Sequence, residues 1–219
     1  VLSDDIDSTK NNNKNLHLIG MVSDGGIHSH INHLFALLDM CKNKNFNKVF
    51  IHFIGDGRDT PPKSIKTYLK QVEDYITKNK VGKLATIIGR FYALDRDKNW
   101  DRNKLAYNAW VLGEGSNCES WNVAIDNAYN NGETDEFIKP IILTENGNPI
   151  TLIEKGDYVI SYNFRADRER QLAYVMVEDN DLDFVKPLNL TFVTMTEYDE
   201  NFKKVLVAYK QENPTNLLS

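Results

Sequence analysis

Cysteine, arginine and long apolar runs are all scarce in this chain of 219 residues. Its two cysteines, Cys41 and Cys118, are too few for a disulfide scaffold and lack the paired spacing of a zinc site, which points to a reducing, cytoplasmic setting. No apolar stretch approaches the roughly 18 residues of a membrane span, and residues 1–14 contain no signal-peptide core. Positive charge is in deficit: Lys+Arg 26 against Asp+Glu 31 leaves a net charge of -5, which excludes a non-specific nucleic-acid binder. Nucleotide and nucleophile signatures are missing as well. Gly55-Asp56-Gly57 is followed by Thr60 where a dinucleotide fingerprint needs its third glycine, no Walker lysine occurs, and there is no Gly-x-Ser-x-Gly elbow.

What is present suffices for a packed domain, with 41% hydrophobic and 11% aromatic residues. Short apolar runs alternate with helical periodicity. Leu16 to Val22, Val49 to Ile54 and Lys83 to Gly89 read as strands. Ile31, Leu34, Phe35 and Leu38 form a helical stripe, as do Ile65 to Ile76. Thr60-Pro61 resembles a helix start. Residues 90–100 are expected to be a long polar loop, followed by helices at about 101–112 and 123–130. Asn146-Gly147 predicts a hairpin between runs at 141–143 and 149–153. A strand at 157–162, a helix at about 167–177 and a strand at 190–196 complete the list. The alternation predicts an α/β fold of three layers, a mixed but mostly parallel sheet with helices on both faces. Residues 1–15, polar and Asn-rich, are expected to be a flexible entry linker to a domain at 16–195, with 196–219 an exit segment and hinge.

Four post-strand loops concentrate the chemistry: residues 23–30, 55–60, 89–97 and 163–168. They hold five of the seven arginines, Arg58, Arg90, Arg96, Arg165 and Arg168, leaving Arg102 and Arg170 outside. Loops at the carboxyl ends of parallel strands converge, so guanidiniums are expected around one mouth suited to phosphate and carboxylate. Local pairing of each arginine with Asp59, Asp95, Asp97 or Asp167 is the competing reading. His28, His30 and His33 lack a nearby acidic partner for a metal. One histidine bonding an anion, with the others capping or packing, suits the pattern better.

Ser23-Asp24-Gly25-Gly26-Ile27-His28-Ser29-His30, Asp56-Gly57-Arg58-Asp59, Gly89-Arg90-Phe91-Tyr92 through Asp95-Arg96-Asp97-Lys98 to Trp100-Asp101-Arg102, and Tyr162-Asn163-Phe164-Arg165-Ala166-Asp167-Arg168 together resemble the cofactor-independent phosphoglycerate mutases. The resemblance runs in order from about Leu16 to about Tyr209 and covers only the inserted, substrate-binding domain of that family. It implies substrate contacts at His28, Arg58, Asp59, Arg90, Arg96, Arg165 and Arg168, with Asp59 and His28 as acid/base candidates and no metal ligand. Ala166 stands where many relatives have proline, a change expected to alter loop stiffness. The resemblance further implies 3-phosphoglycerate and 2-phosphoglycerate as partners, and a phosphoserine and two manganese ions on a second domain of the same polypeptide. No cofactor is expected in this chain itself. With Val1 as first residue, the chain is expected to be a monomeric excised domain, inactive alone. The alternative is a freestanding phosphate-binding module without catalysis.

Overall fold

The computed structural model describes residues 1–178 and 180–210. Its centre is a sheet of nine strands in the order β4-β5-β3-β2-β1-β7-β8-β9, with β6 paired to β5. The middle four are β3 (Lys83–Gly89), β2 (Val49–Gly55), β1 (Leu16–Met21) and β7 (Tyr158–Ser161). They are mutually parallel. Their runs are almost wholly apolar because both faces of the sheet are covered. In β1, Leu16 and Leu18 face one core while Ile19 and Met21 face another. Helices α1 (Leu2–Asn11), α2 (Ile31–Asn43), α3 (Ile65–Asn79) and α6 (Trp121–Asn130) pack on the first face. Helices α4 (Arg90–Ala93), α5 (Trp100–Val111) and α7 (Glu169–Val177) pack on the second. The fold is thus the expected three-layer α/β arrangement. Mixed pairing enters where β5 (Ile141–Glu145) runs antiparallel to β3 and to β6 (Asn148–Pro149). The predicted hairpin turn is there, with positive φ of 52° at Asn146 and 78° at Gly147.

Several local expectations are corrected. Residues 1–15 are no flexible coil: α1 places Leu2 and Ile6 at i, i+4 against the first core, with Ile6 fully buried. A narrow apolar stripe in a polar helix is easily read as linker. Lys44 Nζ, just beyond α2, pairs with Asp7 at 2.5 Å, and Lys10 Nζ donates to the Lys44 carbonyl at 2.7 Å, tying α1 to that end of α2. Helix α3 starts at Ile65 rather than at Thr60-Pro61. The cap comes from afar: Asp135 Oδ2 accepts from the backbone N–H of Ser64 (2.7 Å) and Ile65 (2.8 Å). Residues 90–100 are not all loop, since α4 occupies their first turn. Strands β4 (Ser116–Cys118) and β9 (Val205–Val207) were not anticipated. β9 pairs in parallel with β8 (Thr191–Thr194) and carries the sheet past residue 195 into the expected exit segment, of which 211–219 lie outside the described residues.

Two histidines lie inside the sheet. His17 Nε2 meets Asp157 Oδ2 at 3.1 Å, His17 Nδ1 meets His52 Nε2 at 3.0 Å, and His52 Nδ1 meets Thr86 Oγ1 at 2.9 Å. This chain satisfies polar atoms that strand burial would otherwise strand without partners.

Candidate anion site at the carboxyl edge of the sheet

Because β3, β2, β1 and β7 are adjacent and parallel, the loops that follow them leave the same edge. The chain winds from β1 outward through β2 and β3, then returns to place β7 and β8 on the other side of β1. The β1/β7 junction is therefore a topological switch point, where open α/β sheets leave a crevice. His28 follows β1 and Arg165 follows β7, one on each side of that crevice.

Aspartates shape the loops. Asp56 Oδ1 accepts from the backbone N–H of Arg58 (3.2 Å) and Asp59 (3.0 Å), while its Oδ2 accepts from Ser23 Oγ (2.8 Å), joining the first two loops. Gly57 sits in this turn at a φ of 69°, a conformation that favours glycine. Asp95 does the same for the third loop: it accepts from the backbone N–H of Asp97 and Asn99, from the Arg102 guanidinium and from Gln171 of α7. Burial pushes the Asp95 carboxyl up, but these hydrogen bonds outweigh it and hold it below the ordinary value. Gly89 has a packing reason rather than an anion-binding one: a Cβ there would lie 2.2 Å from the Glu136 carbonyl oxygen.

Arg90 is the hub. Its Nη1 donates to Asp56 Oδ1 at 2.8 Å and to Asp59 Oδ2 at 2.6 Å, and its Nη2 lies 3.0 Å from His28 Nε2. An arginine cannot accept, so His28 Nε2 is the acceptor and a neutral His28 carries its proton on Nδ1. Burial first, and then the Arg90 charge, lower the His28 pKa to about 4. Asp59 Oδ2 is 3.7 Å from the same His28 nitrogen. Burial raises the Asp59 carboxyl, yet the hydrogen bond and charge of Arg90 prevail and keep it ionised.

The loops after β3 and β7 meet above this hub. Arg96 Nη1 donates to Asp167 Oδ2 at 2.9 Å, and Arg165 Nε pairs with Asp167 Oδ1 at 2.9 Å. Arg168 Nη1 donates to the Leu94 carbonyl at 3.1 Å. Among the described residues no carboxylate lies within ion-pair distance of Arg168. Burial and then the guanidiniums of Arg90, Arg96 and Arg58 lower its pKa. Arg58 stands at the rim, more than half exposed and 3.6 Å from Glu136. The convergent and the pairing readings of the arginines are thus both correct: the guanidiniums gather at one edge, and each except Arg168 has found a carboxylate. His30 caps α2, its Nδ1 accepting from the Asn32 N–H at 3.1 Å, and His33 packs edge-on against Phe164. Among the described residues no group of three or more His, Cys, Asp or Glu is placed to hold a metal ion.

Sequence reasoning did not assign Asp56 or Asp95 a loop-capping role, named Asp167 only as an arginine partner, and missed Glu169. The first two could have been found from their spacing, an aspartate two to four residues before the backbone groups it caps. Glu169 is buried behind the arginine loop, taking hydrogen bonds from Ser161 Oγ (2.9 Å) and Asn163 Nδ2. Burial raises its carboxyl to about 7. Asn163 Oδ1 in turn accepts from the Met21 N–H at 2.9 Å, so this network fixes the β7 loop against β1.

Comparison with known proteins bears on what this edge binds. Residues 1–200 match the family model described as BPG-independent PGAM N-terminus. The 2,3-bisphosphoglycerate-independent phosphoglycerate mutase of Clostridium kluyveri is 48% identical over 219 residues, covering 100% of this chain and 43% of the relative. That of Clostridium acetobutylicum is 47% identical over 214 residues, 97% of this chain and 42% of the relative. A crystal structure of Leishmania mexicana phosphoglycerate mutase at low cobalt concentration superposes with a TM-score of 0.81 at 25% identity, over 91% of this chain and 42% of that one. The chain therefore spans little more than two fifths of the length of these relatives. A match over residues 1–200, spanning all four loops and the switch-point crevice, shows that the chain belongs to the BPG-independent phosphoglycerate mutase N-terminal family.

Proposed function

We propose that this chain is the substrate-binding part of a phosphoglycerate mutase, holding 3-phosphoglycerate and 2-phosphoglycerate at the switch-point crevice while the phosphoryl group is exchanged with the rest of a longer protein. The observation that carries the reading is Arg168, a half-buried guanidinium with no paired carboxylate, surrounded by the positive charge of Arg90, Arg96 and Arg58. Such an unbalanced field in a partly desolvated cleft favours a multiply charged anion, whatever the net charge of the whole chain.

The roles follow from the contacts. Arg96, Arg165 and Arg168 offer forked donors for phosphoryl and carboxylate oxygens. Arg58 at the rim adds charge where the ligand enters. Arg90 holds Asp59 ionised next to His28, so Asp59 is the group able to take a proton from a glycerate hydroxyl as that oxygen attacks phosphorus. His28, neutral above about pH 4 and with its proton on Nδ1, orients the ligand as a hydrogen-bond donor. Keeping glycerate in place between two transfers is a proximity effect, which requires clamps on both ends of a small molecule. The phosphoryl-accepting serine and the two manganese ions implied by the resemblance are assigned to the rest of the longer protein, where the ions would neutralise the transferring group. This chain alone is then expected to bind and not to turn over.

The test joins two measurements. Titration of the 219-residue chain with 3-phosphoglycerate, followed by arginine side-chain resonances, is expected to perturb Arg96, Arg165 and Arg168. Arg168→Lys is expected to weaken binding by roughly 10-fold or more, since a point charge replaces a fork. In the longer protein, Asp59→Asn is expected to lower kcat with little change in KM. Binding without any mutase activity in the longer protein would favour a freestanding phosphate-binding module. No binding at all, with Arg168→Lys silent in the longer protein, would overturn the reading.

A further inference from the structure

Asp167 sits in the short 3-10 turn between Arg165 and Arg168, and its carboxylate is the point on which donors from three loops converge. Arg96 Nη1 reaches its Oδ2 at 2.9 Å from the loop after β3. Arg165 Nε stands 2.9 Å from its Oδ1. The third approach is unfinished: His28 Nδ1 is 3.9 Å from the same Oδ1, too far for a hydrogen bond. His28 Nδ1 is a buried atom without a hydrogen-bond partner, and Asp167 Oδ1, also buried, is met by the Arg165 ion pair. Since Nε2 of His28 is engaged by Arg90, the idle atom is an N–H donor, and it faces the Asp167 oxygen already paired with Arg165 across that gap. Two guanidiniums and an imidazole N–H directed at one carboxylate have the geometry of an anion site, with a side chain of the protein in the place of the anion.

We infer that Asp167 is a built-in counter-anion, occupying the Arg96/Arg165 clamp when no ligand is bound and leaving it when one arrives. This rests on the reading of the crevice as an anion site, and goes beyond it by naming a residue that sets which anions succeed. The side chain of Asp167 is 27% exposed, so its carboxylate has water to turn into. A ligand must supply more charge or more oxygen atoms than one carboxylate to displace it. Asp167 therefore sets a threshold: multiply charged anions, which the open clamp holds tightly, still bind, while singly charged organic acids, held weakly there, fall below it. The thermodynamic form is simple: only the fraction of molecules with Asp167 swung out is competent, and apparent affinity falls by that fraction. The His28 N–H, unpartnered in the closed state, gains its hydrogen bond from the ligand.

The experiment uses the 219-residue chain and three probes: sulfate, which stays divalent across neutral pH, acetate and 3-phosphoglycerate. Asp167→Asn and Asp167→Ala are each expected to bind sulfate roughly 3- to 30-fold more tightly than the parent, the range that loss of two half-exposed ion pairs allows. Both are also expected to gain for acetate by about the same factor as for sulfate, because the competent fraction is a property of the protein and not of the ligand. In the unaltered chain, saturation with 3-phosphoglycerate is expected to raise the Asp167 carboxyl titration toward the ordinary aspartate range, read by carbon NMR, because its two arginines have left it. That measurement needs no variant and stands if either substitution fails to fold. Unchanged or weaker sulfate binding by both variants, or an Asp167 titration unmoved by ligand, would overturn the inference while leaving the anion site intact. Failure of parent and variants alike to bind any of the probes would overturn the anion site, and the inference with it.

Discussion

Glu169→Gln is the substitution whose outcome the structure constrains most closely. Glu169 opens α7, directly after Arg168, and is buried with both oxygens engaged by neutral donors, Ser161 Oγ and Asn163 Nδ2. Among the described residues no cation figures among the causes of its shift, so burial dominates and raises its pKa from 4.5 to about 7. The folded state thus holds this proton more tightly than the unfolded chain does. Its contribution to stability is complete below about pH 4.5 and is lost as the pH rises through about 7. At about 1.4 kcal/mol per pK unit, the ionised carboxylate costs about 3 kcal/mol at alkaline pH. Glutamine keeps the shape and removes the charge. Its carbonyl can accept from Asn163, and its amide can donate to Ser161 Oγ, whose own proton then turns to Tyr198 OH, 3.2 Å away. The variant is expected to match the parent near pH 5 and to exceed it by roughly 2–3 kcal/mol near pH 8, measured by urea unfolding with far-UV circular dichroism at both values. His17, His28, His33 and His52 are all held below the ordinary imidazole value, so the unfolded chain protonates them more readily as the pH falls, which gives the parent an opposing slope. They cancel in the difference between the two proteins, so the difference is the quantity to read. A stability gap of the same size at both pH values, or a variant less stable near pH 8, would refute the assignment of a buried, ionisable carboxyl to this position.

Two further substitutions probe the parts of the fold that were not legible. Ile6→Ala removes a fully buried side chain from α1 and is expected to cost about 2–4 kcal/mol in denaturant unfolding; a cost within experimental error would show that residues 1–15 behave as a linker after all. Asp135→Ala strips α3 of its remote cap and leaves Tyr129 OH, now 2.5 Å from Asp135 Oδ1, without an acceptor. A loss of about 2 kcal/mol is expected, with Asp135→Asn retaining part of it.

The strands beneath the site could be read from sequence because burial on both faces leaves an unbroken apolar signature, as in Leu16 to Met21 and Val49 to Ile54. Helix α1 could not, since only Leu2 and Ile6 mark its buried side and the rest is a solvated polar face. Nor could β4, whose Ser-Asn-Cys has no strand propensity and is held by pairing with β5 alone. The start of α3 was misplaced because its cap, Asp135, lies 70 residues from Ile65. At the site, the residue types and loops were legible, while their partners were not. Nothing in Gly89-Arg90-Phe91-Tyr92 says that Arg90 reaches Asp56, Asp59 and His28 together.

Sequence alone determined the class of fold and the four loops that carry most of the arginines, and with them the expectation of an anionic ligand. These are properties of local periodicity and residue type, which a linear chain displays directly. Tertiary structure decided which arginines are already neutralised, which one is left unbalanced, and which carboxylates are ionised or protonated near neutral pH. Those depend on charge separations of a few ångströms and on exclusion of water, and both arise only when β1, β2, β3 and β7 bring distant loops to a single edge.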